Sequence, residues 1–386
     1  MSSGSDDQAG DQIQAVVHEV LDNQLLPSHL SGSVHRALPL LSEERRRQSL
    51  NDSGFPSANR LDKQPDFEQR SETVLYLAYG SNLSAETFRG RRGIEPLAQI
   101  NVIVPSIVLT FDLPGFAYME PCFANVRYRG NSEAPAKDDS TVGEDTPLLG
   151  GSIGRPRYHK ERWQKGLVGV VYEVSRKDYA TIIRTEGGGS SYQDIVVDCY
   201  PLLDASIVPE KPVTAAFRAH TLYAPAESPE GADSTAGTLT RLKRPGHSYA
   251  QASSRYMKLL TSGADEHNLP QEYQTYLHQI RSYTITTMGQ RVGKFIFVSI
   301  WAPIIFSIFG LERMVADKKT GRSPKWLRTL SALAFSGAWV SYDRFFKPLF
   351  GDGERTLGDR ADREQGYRAG DEETSMVLGG AKADSG

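Results

Sequence analysis

Five apolar runs crowd into positions 74–223: Val74–Tyr79, Ile100–Phe111, Gly166–Val174, Ile195–Tyr200 and Val213–Tyr223. Each is rich in Val, Ile, Tyr and Phe and spans about 5–12 residues, which is the composition and length of strands rather than of helices. Strands in succession with helices mixed in later lack the regular alternation of a doubly wound sheet, so the pattern predicts an α+β domain. One helix is expected in "SRKDYATIIRTE", with Ser175 as N-cap and Tyr179, Ile182 and Ile183 on one face. Two more are expected at Ser253–Leu260 and at Pro270–Ile280, the second with proline at its start.

The flanks are different in kind. Residues 1–70 are dominated by Ser, Asn, Asp, Gln and charge, with one short amphipathic candidate at Ile13–Leu26, and read as a disordered arm. The strand-bearing domain is expected over 71–285, interrupted at 130–160 by "GNSEAPAKDDSTVGEDTPLLGGSIGRPR", too poor in apolar residues to order itself. From 286 to 350 the character changes again. Phe295–Leu311, "FIFVSIWAPIIFSIFGL", carries no charge over 17 residues, the lower edge of what crosses a bilayer, and a shorter apolar stretch follows at 329–342. Arg291, Lys294 and Arg313 flank the first segment on both sides, so crossing, hairpin and interfacial arrangements all stay open. These 65 residues are read as membrane-associated helices, and 351–386 as a disordered tail.

Composition narrows the chemistry. A net charge of -3 and short basic runs without interleaved aromatics argue against a nucleic-acid partner. The two cysteines are too few for a disulfide framework, and the eight histidines fall at no metal-ligand spacing, so no metal is expected. The acidic, hydrophilic opening "MSSGSDDQAGDQIQ" lacks the form of an export signal. The glycine run at 187–189 is followed by no Lys-Ser/Thr pair and is not a phosphate-binding loop, so no cofactor is expected either.

Two stretches remain as candidates for chemistry. In "YLAYGSN", Tyr76–Asn82, side chains alternate, with Tyr76, Ala78 and Gly80 on one face and Leu77, Tyr79 and Ser81 on the other. Gly80 lets the backbone approach a ligand, and Ser81 and Asn82 can add hydrogen bonds, making a small anion nest. Spacing alone fits a plain strand end equally well. In "IIRTEGGGSSYQDIVVDCYPL", Glu186 sits where a helix meets three glycines, a place for a carboxylate that reaches into a cavity or for one that is merely solvated.

Three ordered blocks carry a resemblance. "YLAYGSNL", "GVVYEVSRKDYATIIRTEGGGSSY" and "SSRYMKLLTSGADEHNLPQEYQTYLHQI" are similar to the motifs of the γ-glutamylcyclotransferases, over about 210 residues. The resemblance implies a small mixed β-barrel flanked by helices. It implies Glu186 as catalytic acid/base and Tyr76, Leu77, Ala78, Tyr79, Gly80 and Ser81 as the substrate cradle. It implies Tyr256 as a further substrate contact, with Asn82 and Tyr192 as weaker members. The reaction implied is cyclisation of a γ-glutamyl amino acid or conjugate to 5-oxoproline with release of the amine, without metal, nucleotide or covalent intermediate. A cyclotransferase trimming a glutathione-derived secondary metabolite and a membrane-tethered binding protein without turnover are the alternatives. The catalytic domain is expected in the cytosol, held to a membrane by the C-terminal region.

Overall fold

The computed structural model describes residues 38–51, 73–129, 163, 165–185, 193–202, 206–224, 249–315 and 325–357. The candidate helix at 13–26, the insertion at 130–160, Glu186 and Tyr192 lie outside them.

The strands in chain order are β1 (Thr73–Ala78), β2 (Ala98–Val104), β3 (Ile107–Phe116), β4 (Glu120–Tyr128), β5 (Leu167–Ser175), β6 (Gln193–Pro201) and β7 (Phe217–Tyr223). Five of them close a barrel in the order β1-β5-β2-β6-β7. The closing seam between β1 and β7 is parallel, with Tyr76 opposite His220, and the other neighbours run antiparallel. Closure leaves the barrel no unpaired edge. Both faces of β1 and β5 are covered, which is why they read as near-continuous apolar runs rather than as an alternation.

β3 and β4 form a separate antiparallel sheet with a register shift between Thr110 and Leu113. This corrects the expectation of one strand over Ile100–Phe111, since Pro105 and Ser106 turn the chain out of the barrel between β2 and β3. The hairpin was hidden by Pro114 and Gly115 within β3 and by Pro121 within β4, which break the apolar pattern of a strand.

The helices are α1 (Glu43–Gln48), α2 (Arg176–Thr185), α3 (Ser254–Glu266), α4 (Gln271–Gln279), α5 (Met288–Val315), α6 (Lys325–Ser341), continued by a π-helical turn at Tyr342–Phe346, and α7 (Lys347–Phe350). α2 buries Tyr179, Ile182 and Ile183 as expected, and the Ser175 hydroxyl accepts from the Asp178 amide. α3 is N-capped by Ser253, and Pro270 precedes α4.

Part of the arm expected to be unstructured is folded. Leu40 bridges Gln99, Leu41 is buried, and Arg45 of α1 donates to the Thr73 carbonyl at 3.0 Å and pairs with Glu173. A polar composition conceals this because the docking rests on one leucine and one arginine rather than on an apolar stripe.

The C-terminal region is likewise joined to the domain before it. Gly293 of α5 lies against the chain end of α7, and a Cβ there would stand 2.6 Å from that of Phe350 and 3.3 Å from the Tyr118 ring. One turn on, Phe297 is buried with its ring 5.0 Å from Phe116, 5.9 Å from Tyr118 and 5.0 Å from Phe346. The chain beyond α7 then folds back. The Tyr118 amide donates to the Gly353 carbonyl and its hydroxyl to that of Gly351, both at 2.8 Å. Asp352 takes the hydroxyls of Tyr249 and Tyr342 and pairs with Lys347. Gln251 and Thr356 are both buried and hydrogen-bonded to each other. Residues 351–357 are therefore ordered, contrary to the expectation of a disordered tail from 351.

Past this joint α5 is covered on one face only, where Ile305 and Ile308 are buried and Trp301 donates to Ser341 of α6. Met288–Ile308 has a mean hydropathy of 1.6 with only 17% of its apolar window buried, and Phe295, Ile300, Ile304 and Phe306 are exposed. It is one helix long and apolar enough to span a bilayer.

Candidate active site

β1 delivers its end to a tight turn. Gly80 adopts φ -106° and ψ -137°, and the 3₁₀ turn Ser81–Leu83 follows, with the Leu83 amide donating to the Gly80 carbonyl at 3.0 Å. Ser81 and Asn82 are buried, and Asn82 Nδ2 donates to the Tyr76 hydroxyl at 2.8 Å. Leu77 and Ala78 are packed in the core, and the Leu77 carbonyl accepts from Thr221 of β7. Tyr79 donates its hydroxyl to the Leu222 carbonyl at 2.7 Å, which fixes the β1 end to β7.

α3 brings Tyr256 to the same turn. Its hydroxyl accepts from the Ala124 amide of β4 at 3.1 Å, and its ring meets Phe123 edge-on at 5.1 Å. A Cβ on Gly80 would lie 3.2 Å from that hydroxyl and 3.5 Å from the Ala124 methyl. The absence of a side chain at Gly80 is what allows β1, β4 and α3 to converge. Downstream, α3 braces the turn: Glu266 accepts from the Ala85 amide at 2.7 Å. His267 Nε2 stands 3.0 Å from the Leu83 carbonyl and 2.7 Å from the Tyr172 hydroxyl. Burial is the main cause that holds His267 below the ordinary histidine range; the Leu83 hydrogen bond opposes this and Arg89 adds to it.

A second polar cluster lies beside Tyr76. The Tyr179 hydroxyl of α2 donates to Asp194 Oδ1 of β6 at 2.8 Å, and His220 Nδ1 of β7 is 3.0 Å from Oδ2. The Tyr179 ring stands 6.2 Å from Tyr76 and 5.7 Å from His220. Burial, then the Asp194 charge, pushes the Tyr179 phenol well above its usual range, so it stays a donor at any ordinary pH.

The first and third sequence blocks thus meet at Gly80 and Tyr256, and Tyr76 joins Asn82. The described part of the second block reaches the same region through Tyr179, while its Glu186 and Tyr192 fall outside the described residues. Asp194, His220, Phe123 and Ala124 were missed from sequence. For the first two the available signal was a polar residue at an inward position of a strand whose neighbours are apolar, as in "YQDIVV" and "FRAHTLY".

Residues 287–349 match the model of the AclK C-terminal domain. Over 284 residues the chain is 27% identical to gamma-glutamyl cyclotransferase gliK of Aspergillus fumigatus, covering 73% of this chain and 89% of that one. It is also 27% identical over 296 residues to gamma-glutamyl cyclotransferase aclK of Aspergillus oryzae, covering 75% and 93%. A solved structure of a gamma-glutamyl cyclotransferase overlaps 56% of this chain and 92% of its own at 16% identity and a TM-score of 0.35, too distant a likeness to carry weight. The three ordered blocks, these relatives along most of both chains, and the matched C-terminal region all make the chain similar to the γ-glutamylcyclotransferases that carry an AclK-type C-terminal domain.

Proposed function

We propose that this chain is a γ-glutamylcyclotransferase, with its catalytic domain over 71–285 and the γ-glutamyl group bound at the turn where Gly80, Tyr256 and Ala124 converge. That convergence of two distant sequence blocks carries the reading. The substrate folds on itself, its free α-amine attacks its own γ-carbonyl carbon, and the amide C–N bond breaks to give 5-oxoproline and the released amine. Nucleophile and electrophile share one molecule, so holding it in attack geometry supplies much of the acceleration. The α-amine enters as an ammonium and must lose a proton, and the departing nitrogen must gain one. Glu186 serves both steps, as the family resemblance implies, with Tyr179 and Asp194 tying together the elements on either side of its segment. The Gly80–Ser81 turn holds the substrate carboxylate or the developing oxyanion.

The deciding experiment is a 5-oxoproline assay across a panel of γ-glutamyl donors, from γ-glutamyl-alanine to a large S-conjugate, with wild type and Glu186→Gln. Turnover by wild type with at least about a hundredfold loss in the variant is expected, the lower range for an acid/base group. Normal turnover by the variant removes Glu186 from the mechanism. No lactam from any donor removes the activity.

The C-terminal helices are proposed to hold a cytosolic barrel at a membrane. α5 supports this through its exposed Phe295, Ile300, Ile304 and Phe306, and Arg291 at its start suits anionic headgroups. Recovery of the full chain in a membrane pellet that resists high salt and yields to detergent is the expected result. A chain that stays in the supernatant without detergent overturns it.

A further inference from the structure

Glu120 opens β4 and is nearly fully buried, yet its carboxylate has no role in the reaction outlined above. Its Oε1 accepts from the Ser253 hydroxyl at 2.6 Å and from Arg255 Nε at 3.1 Å. Ser253 is the N-cap of α3, and its Oγ in turn accepts from the Tyr256 amide at 3.0 Å. The Tyr256 side chain then leaves the first turn of α3 and returns to β4, where its hydroxyl takes the Ala124 amide. The links close a circuit: Glu120 to Ser253, Ser253 to Tyr256, Tyr256 to Ala124, and along β4 back to Glu120. A strand and a helix joined at two points in this way cannot slide or swing relative to each other without breaking one of the bonds.

We infer that Glu120 is a positioning residue for Tyr256, holding its hydroxyl over the Gly80 turn by fixing the start of α3 to β4. Its catalytic consequence rests on the proposed activity, whereas its structural consequence does not. The carboxylate suits the task chemically. A single oxygen must accept two donors at once, and an anion accepts from a guanidinium more strongly than a neutral oxygen does. Oε2 is buried without a hydrogen-bond partner among the described residues, a cost consistent with a group retained for placement. Arg255 is 34% exposed, so removing its partner does not strand a buried cation, and the variants are expected to fold.

The test uses the full chain in detergent, with Glu120→Ala, Glu120→Gln, Tyr256→Phe and the Glu120→Ala/Tyr256→Phe pair. Glu120→Ala is expected to lower kcat/KM by about a hundredfold, the cost of roughly 1 Å of misplacement, and Glu120→Gln, which keeps an acceptor oxygen, to recover most of that. The double variant is expected to be no worse than the poorer single one, because Glu120 acts through Tyr256. Losses that multiply, or a glutamine no better than alanine, overturn the inference. Amide exchange reads the same clamp without turnover. Glu120→Ala is expected to speed exchange in peptides spanning 120–128 and 253–257 while leaving β5 and β6 protected. Unchanged exchange there overturns the positioning role even if wild type proves inactive, and an inactive wild type with faster exchange in the variant sinks only the proposed activity.

Discussion

The hydroxyl of Tyr179 donates to the Asp194 carboxylate at 2.8 Å, joining α2 to β6 across the barrel wall. These two residues stand on either side of the Glu186 segment in sequence; Tyr179 is buried, and the Asp194 carboxylate is buried against the His220 ring. Tyr179→Phe is expected to cost about 1.5–3 kcal/mol, the range for a hydrogen bond to a charged group, in urea unfolding. Turnover is expected to fall as well, since the helix leading to Glu186 loses its tie. A phenylalanine variant with wild-type stability would show that the bond contributes nothing.

Gly80 is expected to be intolerant for a local reason. An alanine Cβ would sit 3.2 Å from the Tyr256 hydroxyl, tight enough to displace it, although the negative φ of Gly80 imposes no backbone strain. Gly80→Ala is therefore expected to raise KM with a change in unfolding free energy within about 1 kcal/mol, and Gly80→Val to abolish turnover. Steady-state kinetics decides, and a valine variant with normal KM removes the turn from the substrate site.

Phe297 couples the C-terminal helices to the β3–β4 hairpin. Phe297→Ala is expected to destabilise by about 3–5 kcal/mol, as for a buried aromatic truncated in a core. Truncation after Tyr283 bares Phe116 and Tyr118 together, so the shortened chain is expected to aggregate rather than to remain as a soluble enzyme. Size-exclusion chromatography checks this, and a monodisperse, active fragment would make the joint dispensable.

His267 predicts a pH dependence. Its folded pKa is lowered, chiefly by burial, so between the folded value and about 6.5 the unfolded chain binds more protons. Its contribution to stability is therefore fully present above about pH 6.5 and is lost as pH falls toward the folded pKa. His267→Gln should flatten this part of the stability profile, measured as urea midpoints from pH 8 to pH 5. An unchanged slope assigns the acid sensitivity elsewhere.

Most of the barrel was legible in the sequence because β1, β5, β6 and β7 are short, β-branched and aromatic runs with clear ends. β4 was not, since Pro121 within it and Pro114 in its partner β3 imitate a loop until the two strands pair. The docking of 38–51 and 351–357 was hidden for a different reason. Both segments are polar, and they are held by side-chain bonds such as those of Arg45 to Thr73, Gln251 to Thr356 and Tyr249 to Asp352, whose partners lie far apart in sequence. In the site, Gly80 and Tyr256 were named through motif resemblance, but their contact with Ala124 depends on a hairpin that local pattern did not reveal. The pairing of Asp194 with His220 depends on β6 and β7 lying side by side, which the local pattern of either strand does not show.

The parallel seam sets an order on synthesis. Thr221 and the Leu77 carbonyl it binds are 144 positions apart, so β1 emerges from the ribosome long before the strand that completes it. During that interval its aromatic and aliphatic residues are only partly sheltered, and a nascent chain stalled before β7 would be a substrate for chaperones.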